Sequence, residues 1–255
     1  MCRYSGGKYR IGRHIARAIE EYETEYDKLH EISETRPYFE PFVGMCGVMK
    51  HIPNTRVRMG CDLNTDVIAM WQALQNGWTP PSEEEVTQEY YNHLRDEVEP
   101  CDPRRGIVAH GASYSGYFFS KFMPNIYPGS RRNVMKCFQM VKDVKFVDGT
   151  CYNNFLHLEG YTIYSDPPYS NSIGCTGKKS RFLNQFNHEE YWENMRELCK
   201  NNLVFISEET APADFIPIWE TEILTRMAGK GIEKRKVRNE RVYVHESQYI
   251  GSNSK

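Results

Sequence analysis

Short apolar strands that run directly into turns and helices recur along this 255-residue chain, and this order constrains its fold more than any other feature. Asn64 stands where it can cap a helix over residues 65–75, and Asn187 where it can cap a helix that ends near Lys200. The predicted strands around these helices cover residues 38–42, 56–61, 161–165 and 203–207. Strands alternating with helices predict an α/β fold, with a mixed sheet and helices on both faces.

Two further segments extend this pattern toward the ends of the chain. Ile15 and Ile19 fall on one apolar face of a helix predicted over about residues 8–31. Near the other end, residues 218–224 and 241–245 are predicted strands at the sheet edge, joined by a connection rich in Lys and Arg.

The composition changes between residues 76 and 149, where a glycine and two prolines interrupt the chain. Ser82 and Glu85 then have the spacing of a capping box that opens an acidic helix. We therefore predict a main domain of residues 1–75 and 150–255, with residues 76–149 inserted as a mainly helical lobe.

Charge and cysteine content exclude several classes of protein. The 32 Lys and Arg residues against 34 Asp and Glu give a net charge of -2, so contacts with nucleic acid must be local rather than driven by bulk charge. Eight cysteines without metal-ligand spacing predict reduced thiols and no metal site. Neither a membrane-spanning run nor a signal peptide is predicted, so we expect an intracellular protein in a reducing compartment.

Glycines at the end of the first predicted strand suggest a ligand that approaches the backbone closely. Gly44 and Gly47 lack a Cβ, and Asp62 follows at the end of the next strand, where a carboxylate can accept hydrogen bonds from ribose hydroxyls. The pattern lacks the signature of a phosphate loop, so an adenosine with an uncharged methionine tail fits better than a pyrophosphate. An ordinary glycine turn followed by a helix-capping acid is the alternative.

The tetrapeptide Asp166-Pro167-Pro168-Tyr169 is the most informative motif. Its prolines fix a rigid turn, so the Pro167 carbonyl and the Asp166 carboxylate can both accept hydrogen bonds, and Tyr169 can stack. Two acceptors beside an aromatic ring suit a flat base with an exocyclic amine. A structural Pro-Pro loop is the alternative reading.

Four motifs in order resemble the Dam-type, class alpha DNA adenine-N6 methyltransferases, particularly their bacteriophage and large-virus branches. They are Tyr4-Ser5-Gly6-Gly7-Lys8, Glu40-Pro41-Phe42-Val43-Gly44, Asp62-Leu63-Asn64 and Asp166-Pro167-Pro168-Tyr169. The similarity extends over most of the chain and includes residues 106–116 and 205–209.

The resemblance implies a Rossmann-like sheet that binds S-adenosylmethionine, with an inserted target-recognition lobe that binds double-stranded DNA. Asp166, Pro167 and Tyr169 are then the catalytic residues that receive an adenine flipped out of the duplex. The implied cofactor-binding residues are Tyr4, Gly7, Lys8, Glu40, Phe42, Gly44, Asp62, Cys151, Tyr152 and Asp166.

Two positions depart from the family pattern. Cys46 stands where many relatives have glycine, and we interpret it as a packing residue. Cys151 stands where relatives often place a carboxylate that binds the adenine amine of the cofactor, so the resemblance does not carry that contact over.

Cations and aromatic residues of the lobe and of two later segments are the candidates for DNA contact, because phosphates require cations and a flipped base leaves a gap to fill. One of the two later segments is residues 230–241. The others are Arg104, Arg105, Tyr114, Tyr117, Lys121, Arg131, Arg132, Lys136, Lys178, Lys179 and Arg181.

Several alternatives stay open from the sequence. The same pair of acceptors suits cytosine-N4 methylation, and a DNA-binding relative without activity is a non-enzymatic alternative that the intact motif at Asp166 disfavours. RNA is a less favoured substrate than DNA. A monomer or a weak homodimer is expected, and the sequence leaves open whether a cognate restriction endonuclease exists.

Overall fold

The computed structural model describes residues 4, 6–147, 152–169, 186–226 and 235–251. Its strands are β1 (Tyr38–Glu40), β2 (Arg58–Gly60), β3 (Lys145–Phe146), β4 (Thr162–Ser165), β5 (Leu203–Glu208), β6 (Phe215–Arg226) and β7 (Arg235–His245). Its α-helices are α1 (Gly12–Leu29), α2 (Thr65–Gln75), α3 (Gln88–Asp96), α4 (Pro103–Gly111), α5 (Tyr127–Val141) and α6 (His188–Leu198). No helix within these ranges is long and apolar enough to span a membrane.

All these strands form one sheet in the order β3-β2-β1-β4-β5-β7-β6. The pairs from β3 to β5 are parallel, whereas β7 runs antiparallel to both β5 and β6. The direction of winding reverses between β1 and β4, and ligands of such sheets bind beyond the carboxyl ends of the strands at that point. The predicted α/β class with a Rossmann-like mixed sheet is confirmed.

Successive residues of the central strands enter opposite layers of the core, because side chains alternate across a strand. Tyr38 packs in the layer that contains α1 and α2, whereas its neighbour Phe39 packs in the layer that contains α6. Phe205 and Ile206 of β5 divide in the same way. The strands β1 and β5 are therefore buried on both faces, as parallel strands inside α/β sheets usually are.

Two of the predicted helix starts are confirmed, with a difference at one cap. The side chain of Asn187 accepts hydrogen bonds from the amides of Glu189 and Glu190, as expected for the cap of α6. Asn64 precedes α2, but its side chain makes no capping bond; the side-chain amide nitrogen lies 3.3 Å from Nε2 of His110.

The predicted lobe contains α3, α4 and α5, and these helices share the core layer of α1 and α2. Gly106 of α4 lies against α2, where a Cβ would come within 2.2 Å of the Asp66 carbonyl oxygen. The range 76–149 also contains β3, which pairs with β2 inside the sheet. The sheet therefore resumes before residue 149, and the role of the segment in target recognition stays a prediction.

The capping box exists but closes a turn rather than a helix. The Ser82 amide donates to the Glu85 carboxylate at 2.6 Å, and the Glu85 amide donates to the Ser82 hydroxyl at 3.3 Å. The helix begins later, where the Thr87 hydroxyl accepts from the Tyr90 amide at 3.2 Å. The predicted start was wrong because a second, better-placed cap follows the first.

The two edge strands form a hairpin much longer than predicted. β7 pairs with β5 only through Arg241, Val242 and Tyr243, whereas its pairing with β6 continues to Arg235. We call this extension, residues 219–226 and 235–240, the hairpin arm. It projects beyond the carboxyl end of β5, and its alternating charged residues hid it from a search for apolar strands.

Candidate active site

Carboxylates from three strands meet at the edge where the winding of the sheet reverses. Glu40 ends β1, Asp62 follows β2 and Asp166 follows β4. β1 pairs with both β2 and β4, so the three acids lie side by side at one edge. This is the edge at which sheets of this kind bind their ligands. The same three acids were predicted from the sequence to belong to one site.

Lys8 joins this edge from the N-terminal segment. Its Nζ lies 2.6 Å from Oδ1 of Asp166 and 3.2 Å from Oε1 of Glu240. The hydroxyl of Tyr169 donates to the same Glu240 carboxylate. We call Lys8, Asp166, Tyr169 and Glu240 the Lys8 cluster.

The ring of Tyr169 also has cationic neighbours. Lys8 Nζ lies 4.5 Å from the ring centroid, and the guanidinium carbon of Arg238 lies 4.9 Å from it. Arg238 in turn donates to the carboxylate of Glu209. Because a ring face attracts cations, these contacts hold the Tyr169 ring in place.

Burial and charge together set the protonation of the cluster. Burial raises the pKa of the Asp166 carboxyl to about 6, although the Lys8 ammonium opposes the rise. Burial alone would lower the pKa of Lys8, but the carboxylates of Asp166 and Glu240 raise it above its usual value. At neutral pH, Asp166 is therefore an anion and Lys8 a cation.

The glycine turn after β1 is held by Asp62 and by Trp71. One Asp62 oxygen accepts from the Gly44 amide at 2.9 Å and the other from the Asn64 amide at 2.8 Å. The Trp71 indole donates to the Gly44 carbonyl at 3.0 Å. Burial raises the pKa of Asp62 to about 6 despite its two amide donors. Asp62 therefore shapes the turn as well as presenting a carboxylate at the edge.

The N-terminal motif lies against this turn. Gly44 has a φ of 45°, and a Cβ on it would lie 3.1 Å from the Tyr4 ring. The Gly7 amide donates to the Tyr4 carbonyl at 3.0 Å, which turns the chain toward Lys8. Tyr4 therefore lies against Gly44, and Lys8 lies against Gly47 of the same turn, where a Cβ would come within 3.1 Å of the Lys8 backbone nitrogen. That these residues border a cofactor stays a prediction.

Glu40 is buried beside these groups. The Tyr38 hydroxyl donates to its Oε1 at 2.9 Å. Burial holds the pKa of Glu40 well above its usual value, and the Asp166 carboxylate raises it further. A buried acid in this position favours its neutral form until a cation approaches.

Aromatic side chains form a wall on the other side of the edge. The rings of Phe42 and Tyr152 lie 5.6 Å apart, and Phe186 lies about equally far from both, at 6.0 and 6.1 Å. Tyr191 closes the group from α6 and shares a 2.7 Å hydrogen bond with Ser165. Phe42 and Tyr152 were predicted to line the cofactor site, whereas Cys151 lies outside the described residues.

Arg105 was predicted to contact DNA, but the structure buries it. Its Nε donates to Asp66 at 3.0 Å, and another nitrogen donates to the Val98 carbonyl at 2.8 Å. Its guanidinium also lies 5.0 Å from the Phe119 ring. Only 7% of Arg105 is exposed, so no phosphate can reach it, and the assignment is corrected to a structural ion pair.

The other lobe candidates lie at or near the surface. Arg104 pairs with Asp102 at 2.6 Å, and Arg131 donates to the Pro80 carbonyl at 3.2 Å. Arg132 is largely exposed and lies 3.7 Å from Glu83. Lys121 and Lys136 are exposed and Tyr117 is partly exposed, whereas Lys178, Lys179 and Arg181 lie outside the described residues.

Tyr114 begins a short loop of the lobe that we call the lobe hairpin, residues 113–122. The Tyr114 amide donates to the Lys121 carbonyl at 2.8 Å, and Ser113 pairs with Phe122 across the loop. Tyr114 is 46% exposed, in contrast to the buried Phe119 near the loop end. The exposed ring is therefore available to a partner.

Glu240 is a site residue that the sequence prediction missed. The segment 230–241 was predicted to contact DNA through its cations, yet Glu240 is 3% exposed and binds Lys8 and Tyr169. Two cations of this segment are engaged within the protein, because Arg238 pairs with Glu209 and Arg241 with Glu220. A carboxylate isolated among cations was the only sequence signal.

Comparisons with known proteins agree with this geometry in part. The family model of the D12 class N6 adenine-specific DNA methyltransferases matches residues 4–107. This range contains Lys8, Glu40, Gly44 and Asp62 but ends before Asp166. No curated protein sequence matches the chain.

Two solved structures resemble the fold. A conserved hypothetical protein of Streptococcus pyogenes is 8% identical, with 84% of this chain and 88% of that chain covered and a TM-score of 0.34. An rRNA methyltransferase from Streptomyces viridochromogenes is 10% identical, with 94% and 88% covered and a TM-score of 0.35. Neither resemblance indicates what this chain acts on.

Proposed function

We propose that this chain transfers a methyl group from S-adenosylmethionine to the N6 amine of an adenine in double-stranded DNA. The observation that carries this proposal is the position of Asp166-Pro167-Pro168-Tyr169 at the carboxyl end of β4, beside the ends of β1 and β2. The family model supports it, because its match covers the neighbouring part of this edge.

The residues at the edge fit the proposed cofactor. The partly exposed Asp62 offers oxygens to ribose hydroxyls, and the wall of Phe42 and Tyr152 offers flat surfaces to an adenine. Glu40 provides a buried acid for the ammonium of a methionine end. When bound, this cofactor supplies an electrophilic methyl group on a good leaving group.

The catalytic contribution of the chain is then to hold the target amine. Asp166 accepts a hydrogen bond from the amine and orients the nitrogen, while the Pro167 carbonyl offers a second acceptor. Tyr169 stacks on the base that has left the duplex. These roles need precise placement more than acid–base power, and the contacts of the Lys8 cluster provide that placement.

We assign DNA contact to the surface of the lobe. Tyr114 is exposed at the lobe hairpin and suits the gap that a flipped base leaves in the duplex. Phosphates would be bound by the exposed cations of the lobe, together with the basic segment after Tyr169. The proposed set is Arg104, Tyr117, Lys121, Arg131, Arg132 and Lys136, with Lys178, Lys179 and Arg181.

Transfer of a tritiated methyl group from S-adenosylmethionine to unmethylated genomic DNA tests the proposal. The product nucleosides are separated and identified by mass spectrometry, with an equal amount of RNA as a competing substrate. N6-methyladenine in the DNA fraction is expected. N4-methylcytosine would overturn the choice of base, and label confined to RNA would overturn the choice of nucleic acid.

A further inference from the structure

We infer that Glu240, which reaches the site from the hairpin arm, is a positioning residue for the target adenine that acts through Lys8 and Tyr169. The inference rests on the proposed function and deepens it, because it assigns a role to a residue that lies outside the four sequence motifs. Glu240 lies 74 positions after Asp166 in the sequence and belongs to β7, which β5 separates from β4 in the sheet.

The contacts of Glu240 define how it acts. Its Oε1 accepts from the Tyr169 hydroxyl and lies 3.2 Å from Nζ of Lys8. The hydroxyl bond fixes the rotation of the ring on which the base is to stack. Lys8 Nζ also lies 2.6 Å from Asp166, so Glu240 gives Lys8 a second acceptor when the base claims the Asp166 carboxylate.

The charge balance of the Lys8 cluster gives Glu240 a second effect. Lys8 carries one positive charge and the two carboxylates carry two negative charges, so the cluster keeps one net negative charge. If the methyl carbon were transferred to N6, the electron pair of the broken carbon–sulfur bond would stay on sulfur, and the base nitrogen would be cationic until it lost a proton to solvent. Without Glu240, Lys8 would neutralise Asp166 and the site would lose its attraction for that developing charge.

The burial of Glu240 supports a specific role. A carboxylate that is 3% exposed costs free energy unless it is paired and hydrogen-bonded. Glu220, on the same hairpin, also carries a carboxylate, which pairs with Arg241 at 3.1 Å but is 68% exposed. The two acids thus differ in whether they face the site, which makes Glu220 a matched control.

The protonation of Asp166 reports directly on this arrangement. Loss of the Glu240 charge removes a like charge and should lower the pKa of Asp166, whereas loss of the Lys8 charge should raise it. The groups that face Asp166 from the surrounding elements are Lys8, Glu40, Tyr164, Tyr169, Tyr191 and Glu240.

The experiment compares Glu240→Gln with Glu240→Asp, Lys8→Met and Glu220→Gln. Glu240→Gln should lower kcat on the order of tenfold while the Kd for S-adenosylmethionine stays within about twofold. Glu240→Asp keeps the charge and should recover much of the rate, and Glu220→Gln should match the wild type.

A carbon-13 NMR titration of the Asp166 carboxyl in the free proteins provides a readout that needs no methyl transfer. The midpoint should fall in Glu240→Gln and rise in Lys8→Met, with Asp166→Asn used to assign the signal. Unchanged midpoints, or a loss of cofactor binding equal to the loss of rate, would overturn the inference. Should Glu240→Gln not fold, Glu240→Asp and Lys8→Met still test it, since a normal titration in Lys8→Met contradicts the network.

The proposed function can fail separately. If the wild-type protein methylates no nucleic acid, the proposed reaction is wrong. The NMR midpoints would still decide whether Glu240 and Lys8 control the pKa of Asp166. Methyl transfer by the wild type that is insensitive to Glu240→Gln would remove the role of Glu240 alone.

Discussion

The Lys8 cluster and the surface of the lobe both carry many charges, but they use them differently. In the cluster, Lys8 and Glu240 are buried, and each contacts more than one partner. On the lobe, Arg132 and Lys136 are exposed, and Arg132 lies 3.7 Å from Glu83. A buried charge depends on every partner around it, whereas an exposed charge is exchangeable with water and salt.

The largest effect is expected at Asp166. Asp166→Asn should lower methyl transfer on the order of a thousandfold, because the amide cannot provide an anionic acceptor for the amine. The fold and the Kd for S-adenosylmethionine should change little, because the asparagine is nearly isosteric. Single-turnover rates together with calorimetric binding check this. Substantial turnover by a folded variant would contradict the role of Asp166.

Arg104 and Arg105 are adjacent in the sequence and test the comparison between an exposed and a buried charge. Arg105→Ala leaves Asp66 as a buried, unpaired charge and should lower the free energy of unfolding by about 3–5 kcal/mol. Arg104→Ala should cost no more than about 1 kcal/mol, because that side chain is 40% exposed and its pair is screened. Urea unfolding measures both. Equal losses would show that burial does not separate the two residues.

The pH dependence of the rate tests the state of the cluster. Because burial raises the pKa of Asp166 to about 6, its carboxylate is protonated as the pH falls through that value. The value of kcat/KM should then fall about tenfold for each pH unit below about 6, since the protonated acid is no longer an anionic hydrogen-bond acceptor for the amine. A profile that is flat from pH 5 to 8, measured with a folded enzyme, would contradict this.

The same raised pKa has an opposite consequence for stability. A carboxyl that binds its proton more tightly in the folded state stabilises that state below its unfolded pKa, near 3.8 for Asp62 and Asp166. This contribution is lost as the pH rises through about 6. Activity and this part of the stability should therefore change in opposite directions between about pH 4 and 6.

Tyr114 tests the lobe hairpin. Tyr114→Ala should weaken capture of a flipped base, with a rise in KM for DNA of about tenfold from lost stacking. Cofactor binding should be unchanged. Tyr249→Ala serves as a control, because Tyr249 is also exposed, at 38%, but follows β7 and lies outside the lobe segment. Equal rises in the KM for DNA in the two variants would argue against contact between the lobe hairpin and DNA.

Single exposed cations should give the smallest effects. Arg132→Ala should weaken DNA binding by about twofold and reduce the dependence of log K on log salt by about one charge. Fluorescence anisotropy at several salt concentrations measures both. An effect as large as that of Asp166→Asn would mean that this surface charge is part of the catalytic machinery.

The sequence predicted the layers of the fold well, because β1, β4 and β5 are buried on both faces and most of their residues are therefore apolar or aromatic. It also brought Glu40, Asp62 and Asp166 to one edge, since each follows a strand of the parallel part of the sheet. In each case a local pattern is enough, because position along the strand determines position at the site.

The remaining features depend on contacts that no local pattern records. Arg104 and Arg105 look alike in the sequence, and only the packing of α4 against Asp66 distinguishes them. Glu240 enters the site because β7 runs antiparallel past the end of β5. The hairpin arm was underestimated for a related reason, because its exposed positions, such as Glu220, Glu222 and Asn239, carry polar side chains that interrupt an apolar pattern.

The most direct test of the central claim is single-molecule sequencing of DNA from cells that lack their own adenine methyltransferase. These cells would express either the wild type or Asp166→Asn at equal levels. The account predicts N6-methyladenine in a recurring sequence context with the wild type and unmodified adenine with the variant. N4-methylcytosine, or unmodified DNA from cells whose purified protein binds S-adenosylmethionine, would contradict it.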